Sequence, residues 1–307
     1  MFTSIKTPVL SICSAAFTFA LNAQSEMLLH NVHFYESLES VKQKIGPNVL
    51  SHSVLTLDEP IFPLAEHSEA HLICTNLKTK NGTLAQVVFT FADNQLHLIE
   101  SRGNALHVFF DSSKDSMDHF MGYQVVFEEL LFGHIEKDIV WQMTKEASHP
   151  NLFTWENPYL TEGGPTSVAY NKSAEIPDFL EMGGPLNELK TALEANSTFI
   201  FERELDGSDP NAQLQLDCFG VEYAGFPRKM EARFGNGKLN TVWILTGKGE
   251  EDRIRKKLIH HYGNPVFTNE DWEIFENWTI GLRKDKPEIL LLTPELGKSY
   301  KKEYFKQ

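Results

Sequence analysis

Apolar positions recur at two different periods along this chain, and the switches between them mark its elements. In "SLESVKQKIG", Leu38, Val41 and Ile45 fall on one helical face, with Ser37 placed to cap the first turn. In "GGPLNELKTALEAN", Leu186, Leu189 and Leu193 do the same, with Pro185 at the first helical position. Between such runs the period drops to two. Met230, Ala232 and Phe234 alternate with Lys229, Glu231 and Arg233, the pattern of a half-buried antiparallel strand. Asn236-Gly237 then supplies a tight hairpin turn before "KLNTVWIL", and "ADNQ" takes that place earlier in the chain. The run "EEDRIRKKLIHHYG" begins acidic, ends basic and stops at Gly263 ahead of Pro265, which suits a helix and its dipole.

These elements come in the same order twice. "AHLICTNL" followed by "AQVVFTFADNQLHLIE" parallels "LQLDCFGVEY" followed by "RKMEARFGNGKLNTVWIL". Cys74 stands 19 residues before Asp93, and Cys218 stands 18 before Asn236. Gly133 precedes Trp141 by 8 and Gly263 precedes Trp272 by 9, which sets "LLFGHIE" as the end of a second helix in the first copy. An insertion near "NALHVFFDSSKD" then takes an extra strand or loop. The expected architecture is α+β: two tandem repeats, each running helix, three strands, helix, three strands, with helices packed on one face of an antiparallel sheet. The first repeat domain spans 24–171, a linker covers 172–178, and the second spans 179–307. "SVAYN" is a candidate last strand of the first.

The first residues read as an address. Lys6 is followed by an apolar run from Val9 to Leu21 and then Asn22-Ala23-Gln24, a signal peptide with its cut after Ala23. Thirteen apolar residues are short for a membrane span, and Ile12 before Cys13 departs from a lipoprotein signal. The expectation is an exported protein, periplasmic or extracellular, with no membrane span. Removing residues 1–23 takes away Lys6 alone among the charges, so the formal charge moves from −14 to −15. That acidity argues against nucleic acid as a partner, since phosphate contacts need clustered Lys and Arg. Cys74 and Cys218 sit in apolar runs and read as buried thiols; a disulfide is the alternative that an exported protein permits.

The runs "PLNELKTAL" and "LIHHYGNP", with the tryptophan-bearing hairpin around Trp272 and Trp278, resemble the helix-plus-sheet repeats of exported bacterial proteins. The β-lactamase-inhibitor-protein type, with its two tandem repeats, is one such family, and the SmpA/OmlA outer-membrane lipoproteins are another. The resemblance implies a binding or assembly module rather than an enzyme. It transfers no functional residue.

Chemistry-bearing motifs are few. There is no Gly-x-Ser-x-Gly elbow, His-Glu-x-x-His helix, phosphate-cradling glycine loop or Cys-x-x-Cys pair, and no cofactor is implied. Ten of the 12 histidines precede residue 150. His67, Glu69 and His71 share a face if the segment is a strand, and His67 and His71 share one if it is a helix, making them the candidate metal ligands. Trp272 and Trp278 flank a hairpin and are the candidate binding aromatics. The expected function is a non-catalytic interaction module of the cell envelope, engaging another envelope or secreted protein. The alternatives are a periplasmic metal-binding protein using the His-Glu-His cluster, and a hydrolase whose site follows no familiar motif.

Overall fold

The computed structural model describes residues 29–110, 118–160 and 173–305. The signal peptide, "SVAYN" and the first residue of the expected linker lie outside the described residues. The fold is mixed helix and sheet, built on two antiparallel sheets of eight strands each. Among the described residues no helix is long and apolar enough to cross a membrane.

In the first half, α1 (Leu38–Ile45) is followed by β1 (Ser51–Leu57), β2 (Glu69–Thr79), β3 (Gly82–Ala92) and β4 (Gln95–Arg102). A short α2 (Ala105–Phe109) leads to β5 (Asp118–Phe120), β6 (Tyr123–Val126), β7 (Leu131–His134), β8 (Ile139–Met143) and α3 (Lys145–Ser148). The second half runs α4 (Leu186–Ala195), β9 (Phe199–Glu204), β10 (Leu214–Tyr223), β11 (Phe226–Gly235), β12 (Lys238–Leu245) and α5 (Glu251–Tyr262). It ends with β13 (Phe267–Thr268), β14 (Trp272–Phe275), β15 (Ile280–Arg283), β16 (Glu288–Leu292) and α6 (Pro294–Glu303). The sheet orders are β1-β2-β3-β4-β8-β7-β6-β5 and β13-β14-β15-β16-β12-β11-β10-β9. Read from its first strand, each sheet follows the same path.

Each half therefore carries four strands before and after its inner helix, not three. The missed strands are edges or very short. β1 and β9 are largely exposed and show no apolar alternation. β13 has two residues, too few for a period to register. "LLFGHIE" ends no helix: Leu131–His134 is strand β7, and the inner helix of the first half is Ala105–Phe109, where an extra strand or loop was expected. The Gly133–Trp141 and Gly263–Trp272 spacings are thus not equivalent. Gly133 and Trp141 lie in β7 and β8, whereas Gly263 caps α5 and Trp272 opens β14. Pro185 sits one position outside its helix, with extended backbone.

Local signals hold where the chemistry is local. The Ser37 hydroxyl accepts from the Ser40 N–H at 3.3 Å, as a helix cap should. Asp93-Asn94 and Asn236-Gly237 both take positive φ at two successive residues, the conformation of the tight hairpin turn. Cys74 faces Val87 across the ladder and Cys218 faces Met230, each partner six residues before its turn. Both cysteines are free and buried, and burial pushes each thiol up to about 12.

Three large apolar clusters fill the molecule. Val41 and Ile45 of α1 share one with Leu72, Cys74, Phe89, Phe91 and Val140. Leu189, Leu193, Ile254 and Leu258 from α4 and α5 share another with Leu216, Cys218, Met230, Phe234 and Leu291. The third joins the halves. Phe219 and Phe226 of the second sheet sit there with Phe62, Trp141, Phe153 and Trp155 of the first half.

Polar contacts reinforce this joint. The Arg253 guanidinium of α5 donates to the Ala65 carbonyl and, at 3.0 Å, to the Phe62 carbonyl, holding the turn before β2. Gly247 and Gly249 lie so close to Pro63 and Leu64 that a Cβ at either would strike backbone. Beneath them Arg228 and Glu250 form a buried bidentate ion pair.

Candidate functional site

The residues singled out in the sequence are scattered by the fold. Glu69 and His71 come together: Glu69 Oε1 lies 2.8 Å from His71 Nε2, and both side chains are fully buried. His71 Nδ1 lies 3.1 Å from Thr90 Oγ1 and 3.2 Å from Asn157 Nδ2, while the other Glu69 oxygen accepts from the Ile61 and Phe62 N–H groups. His67 stands apart, exposed at the surface with Glu66 at 3.6 Å, and its backbone N–H donates to Asp93. Among the described residues no group of three or more His, Cys, Asp or Glu is arranged to hold a metal ion.

Trp272 and Trp278 are both half-buried, in a small cluster with Phe267, Ile274, Phe305 and Tyr300 near the C-terminal helix. Lys301 of α6 stands 4.6 Å from the centre of the Trp278 ring. Trp272 is different. Its ring lies 5.5 Å from the Arg283 guanidinium and 6.2 Å from the Trp243 ring.

Trp272 thereby marks one end of a strip on the second sheet, on the face away from the α4 and α5 side chains, that is only partly covered by the described residues: Gln215 and Asp217 are buried, Glu231, Arg233 and Trp243 half-buried. Gln215, Asp217, Glu231, Arg233 and Trp243 reach this face from β10, β11 and β12 because their neighbours Leu216, Cys218, Met230, Ala232 and Val242 point into the core. A continuous chain of charges crosses it. Arg203 lies 3.4 Å from Asp217, Lys229 bridges Asp217 and Glu231 at 3.2 and 3.0 Å, and Arg233 holds Glu231 at 2.9 Å and Gln215 at 2.8 Å. Burial pushes the Glu231 carboxyl upward, but Lys229 and Arg233 outweigh it and hold the group below its usual range. Further along, Glu288 accepts from Arg283 at 3.3 Å and Lys286 at 2.6 Å. Arg233 also lies 5.9 Å from the Trp243 ring, so the two indoles of Trp243 and Trp272 stand side by side between the guanidiniums of Arg233 and Arg283.

Part of the strip floors a groove of about 580 Å³, whose lining includes Arg203, Arg233, Trp243, Arg283 and Lys286 but not Trp272. His149 of the first half closes one side; its Nε2 faces the Pro287 carbonyl at 3.1 Å, so that nitrogen carries the proton, and burial lowers its basicity. The Trp243 indole N–H is buried and has no hydrogen-bond partner among the described residues. Sequence reasoning missed this group apart from Trp272. Lys229, Glu231 and Arg233 were legible as the outward set of a strand, but that alternation says only that a face is polar, not that it is concave.

No family model, no curated protein and no solved structure matches the chain.

Proposed function

We propose that this protein is an exported, non-catalytic binding module that engages another envelope or secreted protein through the groove on its second sheet. In this reading its halves are tandem copies of one unit, with helices on one face of each sheet. The observation that carries it is the set of exposed and half-buried cations and the Trp243 indole that line a groove on the second sheet, with Trp272 beside it. Strand-borne arginines and tryptophans lose little freedom on binding, and both residue types dominate binding energetics at protein interfaces. Cations and carboxylates alternate along the strip, which favours a polypeptide carrying both signs over a polyanion.

The test is affinity capture from envelope extract with the purified protein tagged at its C terminus. Arg203→Glu, Arg233→Glu is the groove variant and Lys190→Glu on α4 the control, each with its fold checked by circular dichroism. A partner captured by the parent and the control but lost by the groove variant supports the reading. A partner held equally by all three places binding elsewhere.

A further inference from the structure

Among the described residues the two sheets end in four edge strands, and three of them are guarded. β5 and β13 have three and two residues, too short to template another strand. β9 carries Glu202, Arg203 and Glu204, with Phe199 and Phe201 packed against Phe120 of the first half. Among the described residues, β1 has none of these protections. "SHSVLTL" runs seven residues without proline, glycine, lysine or a carboxylate, and its only titratable side chain is His52. Its ladder with β2 passes from Ser51↔Thr75 to Leu57↔Glu69 without a break in register, so no bulge twists the edge away. Val54 is 42% exposed, and Leu50 just before the strand is 77% exposed. A long, flat, uncharged edge is a template for pairing with another chain.

We propose that β1 is a self-association edge, pairing antiparallel with β1 of a second copy to join two eight-stranded sheets into one. The occupant follows from charge. Two copies of a chain of net charge −14 repel each other over most of their surfaces, whereas β1 brings no carboxylate to the contact. Pairing about a two-fold axis at Val54 sets Val54 against its own copy, Ser53 against Leu55, His52 against Thr56 and Ser51 against Leu57. No like charges meet, and Asp58 falls opposite the exposed apolar Leu50 rather than another acid. A contact of one strand pair is small, so the dimer is a weak one.

The test is sedimentation equilibrium of the purified protein from roughly 1 µM to roughly 1 mM, the range suited to a small interface. The expected result is a reversible dimer, weakened at least about tenfold by Val54→Lys, which sets like charges opposite each other. The groove variant Arg203→Glu, Arg233→Glu should dimerise as the parent does, which separates this edge from the groove. Val54 is exposed, so Val54→Lys should keep the parent's circular dichroism. A Val54→Cys variant should be cross-linked between protomers by a short bis-maleimide, since directly opposed side chains lie within about 5.5 Å. A monomer throughout, a dimer indifferent to Val54→Lys, or no cross-linking of Val54→Cys would each overturn the proposal.

Discussion

The two sheets share one strand path, yet their outer faces are closed to different degrees. Across the first sheet, one register line runs from His71 to Thr90 and the next from Glu100 to Trp141; all four side chains are buried. Across the second sheet the same positions hold Gln215 and Leu290, both buried, and Arg233 and Trp243, both only half-buried. The first face is sealed by the segment after β8. The fully buried Trp155 lies over His71, and Phe153 stacks on Phe132 at 4.5 Å. Sealing puts a premium on partners for the polar groups there, and most of them have one, although the Trp155 indole nitrogen has none among the described residues. Glu100 accepts from Arg102, Trp141 and the Asn157 N–H, and even so burial pushes its carboxyl upward. On the second sheet the chain after β16 forms α6, whose Tyr300 shares a cluster with Trp272 and Trp278 at one end of the face. The groove remains between that end and the first half. One topology thus yields a closed polar core or an open polar groove, according to where the chain goes after its eighth strand.

The largest expected effect tests that contrast. Trp155→Ala empties the seal over His71 and should cost about 3–5 kcal/mol in urea unfolding. Trp243→Ala, at a half-buried groove position, should cost about 1–2 kcal/mol. Equal costs would mean the two faces are not differently closed. Next comes the joint. Arg253→Ala removes the side-chain donor from the Ala65 and Phe62 carbonyls, the second of which still accepts from the Ala65 N–H, and should destabilise by about 1–3 kcal/mol. If the halves fold as one unit, the transition stays single; a split into two transitions would show that Arg253 couples them.

A smaller effect separates the halves by pH. Burial pushes the Glu251 carboxyl of α5 from the ordinary 4.5 up to about 7. The folded chain therefore holds a proton in that window that the unfolded chain has lost, and this contribution falls as pH rises from 4.5 to 7. Glu251→Gln should raise the urea midpoint at pH 8 and leave it unchanged near pH 4. His97 of the first half and His149 at the joint act in the opposite sense. Burial lowers both below the ordinary 6.5, so their contribution is lost as pH falls below that value. A Glu251→Gln shift that is the same at both pH values would remove the titration from the account. The smallest effect is on the paired thiols: Cys74 and Cys218, buried and pushed up to about 12, should both resist alkylation at pH 8 until the protein is unfolded, and selective labelling of one would show that its half opens locally.

What the sequence determined by itself are the features whose cause lies within a few residues. The Ser37 cap, the α5 stop at Gly263, the two hairpin turns and the Met230–Phe234 alternation each depend on neighbours in the chain. The paired placement of Cys74 and Cys218 follows from the same strand-and-turn spacing. The tertiary structure alone decided the rest. Edge strands such as β1 keep side chains exposed on both faces, so no periodicity announces them. His71 and Glu69 resemble surface metal ligands until Trp155 and Asn157, more than eighty residues later, enclose them. Trp243 and Arg233 resemble a core residue and a solvated charge until the first half and the C-terminal helix stand on either side of them. Burial is set by which distant segment covers a face, and a pattern of period two or 3.6 carries no record of that segment.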